Sequence, residues 1–245
     1  MQHRSKKIKK SFFIILVVLI VLSGGSAIYL GNYYHSVDVE KYMNGSSEVS
    51  VEKFDKGWFF DGAGEEKALI FYPGAKVATE AYAPLMYQLA ESGIDCFLVD
   101  MPFHMAFFGM NRAEEIMQEY NYEAWYLGGH SLGGAMAANF AADYVEDHTD
   151  GIRGLLLLAA YPTKDLSTSD MSVVTVYGSE DGVLNMDKIV AGRELMPQDY
   201  KEVCIEGGNH AQFGSYGTQK GDGTAAIPAE EQWARTVEVF VGDES

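Results

Sequence analysis

The sequence predicts an α/β fold built on a mostly parallel sheet, and three observations carry that expectation. Apolar runs at Ala68–Tyr72, Cys96–Val99, Arg153–Ala160 and Val173–Tyr177 are continuous rather than alternating, as strands buried on both faces require. Segments with helical spacing separate them, so strand, helix and strand follow at the pace of right-handed crossovers. Finally, 245 residues of which 47 % are apolar suffice for one sizeable core and are short for two.

Val49–Phe54 and Gly57–Asp61 read as two leading antiparallel strands. The run Ala68–Tyr72 stops at Pro73-Gly74, and a helical segment, Thr79–Glu91, stops at Ser92-Gly93. After Cys96–Val99 comes Asp100–Met110, crowded with methionine and phenylalanine but without helical or alternating period. It reads either as a loop packed on the core or as an apolar substrate wall of Met101, Phe103, Phe107 and Phe108, since such sheets bind ligands at the carboxyl ends of their strands. Ala124–Gly128 is a short strand, Leu132–Val145 a helix, Tyr200–Ile205 the last strand and Glu230–Val241 the closing helix.

The first thirty residues stand apart from this pattern. Arg4, Lys6, Lys7, Lys9 and Lys10 precede an unbroken apolar run, Phe12–Leu22, then Ser23–Ala27 and Ile28-Tyr29-Leu30. Taken to Leu30 the segment is just long enough to span a bilayer, with Tyr29, Tyr33 and Tyr34 where an interfacial belt lies. Taken to Ala27 it is a signal peptide, which would leave a secreted protein. The length favours an uncleaved single-pass anchor, with the basic tail in the cytoplasm and the body outside it. The expected organisation is a basic tail at 1–10, a transmembrane signal anchor at 11–30, a polar tether at 31–48 and a folded domain at 49–245.

Charge excludes one class of partner. Beyond the basic head the chain carries 13 basic against 35 acidic residues, a net of −22, which argues against nucleic acid. Cys96 and Cys204 each fall mid-strand among apolar residues and read as free buried thiols. No Cys/His cluster has metal-ligand spacing, and neither metal nor cofactor is expected.

The chemistry concentrates at Gly129-His130-Ser131-Leu132-Gly133-Gly134, where a strand turns sharply into a helix. In a Gly-x-Ser-x-Gly elbow the strained turn lifts the serine hydroxyl clear of the backbone, and flanking side chains would collide. No Lys-Ser or Lys-Thr closes the glycine run, which disfavours a phosphate loop. A serine hydroxyl is a poor nucleophile unless a base takes its proton and an acid orients that base. Ser131, Asp181 and His210 follow in that order, each just past a predicted buried strand, so all three reach one edge of the sheet. His104 is the rival base, and Glu180 and Asp187 are rival acids.

These motifs, with Tyr-Gly-Ser-Glu-Asp-Gly at 177–182 and Gly-Gly-Asn-His at 207–210, resemble the α/β-hydrolase superfamily over Val49–Val241. The likeness is to small dienelactone-hydrolase-like and carboxylesterase-like members, including bacterial membrane-anchored ones. The resemblance implies an eight-stranded mixed sheet with helices on both faces, Ser131 as nucleophile, His210 as base and Asp181 as acid. It also implies an oxyanion hole from the amide of Leu132 and one from the loop after Tyr72, Ala75 first and Gly74 second, since Pro73 cannot donate. The expected activity is hydrolysis of small-molecule carboxylic esters; a peptidase or amidase and a non-catalytic adhesion domain are the alternatives. Only Tyr161–Met171 separates two strands where the family's lids usually lie, so an open, lidless site is expected. Oligomeric state is not legible.

Overall fold

The computed structural model describes residues 31–148 and 151–243. The chain divides into two units, Met1–Tyr33 and Tyr34–Ser245, and the second holds the fold. The segment expected to cross a membrane, 11–30, lies outside the described residues; among those described, no helix is long and apolar enough to do so.

Eight strands form one sheet in the order β1-β2-β4-β3-β5-β6-β7-β8. They are β1 (Ser50–Phe54), β2 (Gly57–Asp61), β3 (Lys67–Tyr72), β4 (Asp95–Val99), β5 (Ala124–His130), β6 (Ile152–Leu158), β7 (Ser172–Gly178) and β8 (Tyr200–Ile205). The pairings of β2 with β1 and with β4 are antiparallel; every other pairing is parallel. The continuous apolar runs are explained by two cores, one on each face. Helices α2 (Ala83–Glu91) and α6 (Ala229–Asp243) cover Leu69, Phe71, Leu98, Leu156 and Val176. On the other face α3 (Arg112–Glu119) and α4 (Leu132–Asp147) cover Ile70, Phe97, Leu127, Leu155 and Leu157. Two short helices, α1 (Glu40–Met43) and α5 (Met186–Gly192), complete the α-helices of the described residues.

The topology fixes where a ligand can bind. From β3 the chain crosses to β4 on one side through α2, then returns past β3 to β5 through α3 on the opposite face. The carboxyl ends of β3 and β5 therefore flank a switch point, where loops diverge and leave a crevice.

Several expectations change. The stretch 34–48, read as a tether, packs on the domain from Tyr34 onward. Tyr34 donates its amide to the Lys76 carbonyl (2.7 Å) and accepts from the Ala78 amide (2.8 Å). Val39 is buried, and the Tyr42 ring meets those of Tyr87 and Trp233. Its polar composition hid four apolar anchors, Tyr34, Val39, Tyr42 and Met43, spaced among charged residues. Both cysteines are free, but only Cys96 is buried. Cys204 is exposed because β8 is an edge strand, a position that local apolar flanks do not reveal. The connection from β6 to β7 contains no helix, in keeping with the absence of a cap there.

Candidate active site

The elbow is built by steric necessity. Ser131, between β5 and α4, has φ 53° and ψ −122°, a backbone state rare outside glycine. Its amide donates to the Leu158 carbonyl (2.9 Å) and its carbonyl accepts from Ala135 (3.1 Å), so strand and helix grip it from both sides. A Cβ at Gly133 would stand 2.1 Å from the Tyr72 carbonyl oxygen, and one at Gly129 would stand 2.5 Å from the Gly133 carbonyl carbon. Only glycine lets the strand and helix approach this closely. The alanine-rich continuation, Ala135 to Ala142, then propagates the helix with little entropic cost.

Asp181 and His210, the expected acid and base, come from loops after β7 and β8. Asp181 Oδ2 accepts from His210 Nδ1 at 2.8 Å, with both side chains 2 % exposed. Asp181 Oδ1 accepts from the amides of Val183 (2.9 Å) and Leu184 (2.8 Å), so the carboxylate is aimed by its own loop. This bond fixes His210 as the tautomer with an acceptor at Nε2. That nitrogen is buried and has no hydrogen-bond partner, and the Ser131 hydroxyl is not bonded to it. Ser131 and His210 nonetheless line one cavity of about 270 Å³. Serine–histidine bonds of this kind often tighten only when substrate is in place.

The rivals stand elsewhere. Glu180 accepts from Ser179 instead, Asp187 lies in the first turn of α5, and His104 is not among the residues lining the cavity. For an oxyanion, the Leu132 amide is the first of α4, where no carbonyl one turn back can claim it. In the loop after β3 the Gly74 amide is already given to the Tyr82 hydroxyl (3.0 Å), whereas the Ala75 amide has no acceptor among the described residues. Of the two amides, only that of Ala75 is uncommitted among the described residues.

The residues expected to form an apolar wall do not line the cavity beside Ser131. Met101 is buried in the core beneath α3 and α4, and Phe103, Phe107 and Phe108 are exposed and packed on one another. The cavity beside Ser131 opens toward β6 and β7 instead, lined by Ala159, Ala160, Tyr161, Val183, Leu184 and Asn185. Sequence reasoning missed these, and it also missed Asp222. That carboxylate accepts four amides, from Gly182 (3.1 Å), His210 (3.2 Å), Ala211 (2.8 Å) and Gly223 (2.9 Å), and so ties the acid loop to the base loop. An aspartate between glycines was the only signal in the sequence, and it reads equally well as a turn.

Residues 68–234 match the profile of the alpha/beta hydrolase family. The chain belongs to that family. Among solved structures, this hydrolase is similar to carboxyl esterase 2 from the fungus Tuber melanosporum, with TM-score 0.60 and 12 % identity over 85 % of this chain and 89 % of that one. It is similar also to a monoacylglycerol lipase of Paleococcus ferrophilus, with TM-score 0.57 and 14 % identity over 80 % and 99 %. An esterase domain of a Rhodothermus marinus protein aligns with TM-score 0.57 and 13 % identity over 80 % and 97 %. At such identities the likeness is one of fold. No curated protein matches the chain in sequence.

Proposed function

We propose that this hydrolase cleaves small carboxylic esters through an acyl-enzyme on Ser131. The observation that carries the reading is the buried Asp181–His210 pair, whose free Nε2 shares a cavity with a serine held on a strained elbow. Ser131 Oγ forms a bond to the ester carbonyl carbon while its proton passes to His210 Nε2. The oxyanion takes the amides of Leu132 and Ala75. The imidazolium, stabilised by Asp181, then protonates the departing alkoxide as the C–O bond breaks. Water, deprotonated by His210, releases the carboxylic acid and restores the serine. The names of the structural neighbours, esterases and a lipase, agree with ester chemistry. A cavity of about 270 Å³ without a helical cap after β6 suits short acyl groups.

In the same reading, the basic head and the apolar stretch 11–30 anchor the protein in the cell membrane with the catalytic domain outside the cytoplasm. Protease protection in sealed vesicles checks that orientation. The activity is tested with a fluorophosphonate probe. Wild-type protein is labelled and Ser131→Ala is not; a folded wild-type protein that resists labelling overturns the proposal. Faster turnover of aminoacyl anilides than of p-nitrophenyl esters would assign it to amide hydrolysis instead.

A further inference from the structure

Among the described residues, two buried ring nitrogens make no hydrogen bond of normal geometry, and they belong to rings in contact. They are His130 Nε2 and His210 Nε2, with ring centroids 4.4 Å apart. Orphaned buried polar atoms are rare enough to need a reason. The chain of donors behind His130 supplies one. The Gly74 amide can only donate, so the Tyr82 oxygen is its acceptor at 3.0 Å. Tyr82 has one proton, and His130 Nδ1, at 2.7 Å the hydroxyl's other partner, is placed to receive it. His130 Nδ1 is then an acceptor, which places the ring proton on Nε2, beside His210.

We infer that Tyr82 and His130 are positioning residues that couple the oxyanion loop to the base. The Tyr82 hydroxyl sets the Gly74–Ala75 backbone and, through the same oxygen, locks His130 as the neutral tautomer that presents its N–H edge to His210. The inference rests on the reading of Ser131 and His210 as nucleophile and base. The fit is close: a Cβ on Gly74 would lie 2.8 Å from both Tyr82 Oη and His130 Nδ1. Burial holds the His130 ring neutral, with its pKa well below the ordinary value, and the neighbouring His210 ring pushes the same way. The Tyr82 phenol is likewise driven up by burial and keeps its proton. A neutral, proton-bearing neighbour leaves His210 free to carry the only positive charge that develops during turnover.

Tyr82→Phe tests this, because it removes one oxygen and keeps the ring against Phe71 and Tyr216. The variant is expected to lose at least tenfold in kcat on p-nitrophenyl acetate while KM changes less than twofold. Nitrogen-15 imidazole spectra at pH 7 are expected to show His130 as a single Nε2–H tautomer in the wild type and as a mixture in Tyr82→Phe. Combining Tyr82→Phe with His130→Ala is expected to cost no more than the worse single change, since both break one chain. A wild-type Nδ1–H tautomer, an unchanged kcat in the variant, or multiplying losses would each overturn the coupling. A wild-type protein inert to fluorophosphonate would instead sink the ester-hydrolase reading, whatever the tautomer.

Discussion

The two halves of the candidate site are held by different sets of forces. The nucleophile half, the elbow after β5 and the loop after β3, is fixed by close packing: a left-handed serine and glycines whose Cβ atoms would overlap backbone. The acid–base half, the loops after β7 and β8, is packed on glycines too, a Cβ at Gly178 standing 2.2 Å from the Gly208 backbone and one at Gly223 2.0 Å from the Glu180 carbonyl oxygen, but it adds a dense hydrogen-bond network. Asp181 accepts three and Asp222 four, and Gln232 from α6 exchanges two with the backbone of Asn209 (3.0 and 2.8 Å). Packing tolerates no added atom but is indifferent to pH. A carboxylate-centred network adds a second vulnerability, since it fails when a carboxylate is removed or protonated.

Substitutions can break that contrast. Ser131→Ala should lower kcat by about 10⁶-fold with thermal stability unchanged, since its hydroxyl holds nothing in place. Asp181→Ala should lower kcat by about 10⁴-fold and also lower the melting temperature, because it unties the Val183 and Leu184 amides. Equal thermal effects would contradict the division. Gly133→Ala should leave little folded protein, a cost above about 4 kcal/mol, because the clash is with the backbone of Tyr72 and Pro73. Asp222→Ala should remain folded and lose about 2–3 kcal/mol, with kcat reduced about tenfold, as read by denaturant titration and ester turnover.

The same contrast explains what could be read from the sequence. Packing by glycine is local, so Gly129, Ser131 and Gly133 announce the elbow within five residues. Strands buried on both faces give unbroken apolar runs, and the sheet is therefore legible as well. Hydrogen-bond partners distant in the chain leave no such trace: Asp222 stands 40 residues from Gly182. The expected wall lies away from the Ser131 cavity for a topological reason. The rule that strands bind ligands at their carboxyl ends named the right edge of the sheet but not the place along it. β3 stands between β4 and β5, while the cavity faces β6 and β7.

Acid should also weaken the strands that carry the loops of the acid–base half, and Glu202 on β8 is the group to watch. It accepts from Arg193 through two nitrogens (2.8 and 2.7 Å) and from the hydroxyls of Tyr177 (2.9 Å) and Tyr200 (3.0 Å). The Arg193 hydrogen bonds lead in holding its carboxyl down at about 2, against an ordinary 4.5. A pKa depressed on folding stabilises the protein above the unfolded value, and that contribution is lost as pH falls from about 4.5 toward 2. Discounted for the half-exposed Arg193, it amounts to about 1–2 kcal/mol. Glu202→Gln should thus melt about 2–6 °C below wild type at pH 7 and converge with it near pH 2. A gap that stays constant across that range would show that the pair is held by shape rather than charge.

The smallest effect is expected at the stretch that the sequence left open between a packed loop and a substrate wall. Phe103, Phe107 and Phe108 are 58 %, 49 % and 52 % exposed, and their rings touch each other, with centroids 4.0 Å apart for Phe107–Phe108 and 5.6 Å for Phe103–Phe108. None lines the cavity that holds Ser131. Replacing all three by alanine removes apolar surface that is already half in water, so little transfer free energy is lost on folding. Both kcat/KM on p-nitrophenyl acetate and the melting temperature should stay near wild type, within about twofold and a few degrees. A tenfold loss of kcat/KM at unchanged stability would bring the loop after β4 back into the substrate path, and the cavity toward β6 and β7 would then hold only part of the ester.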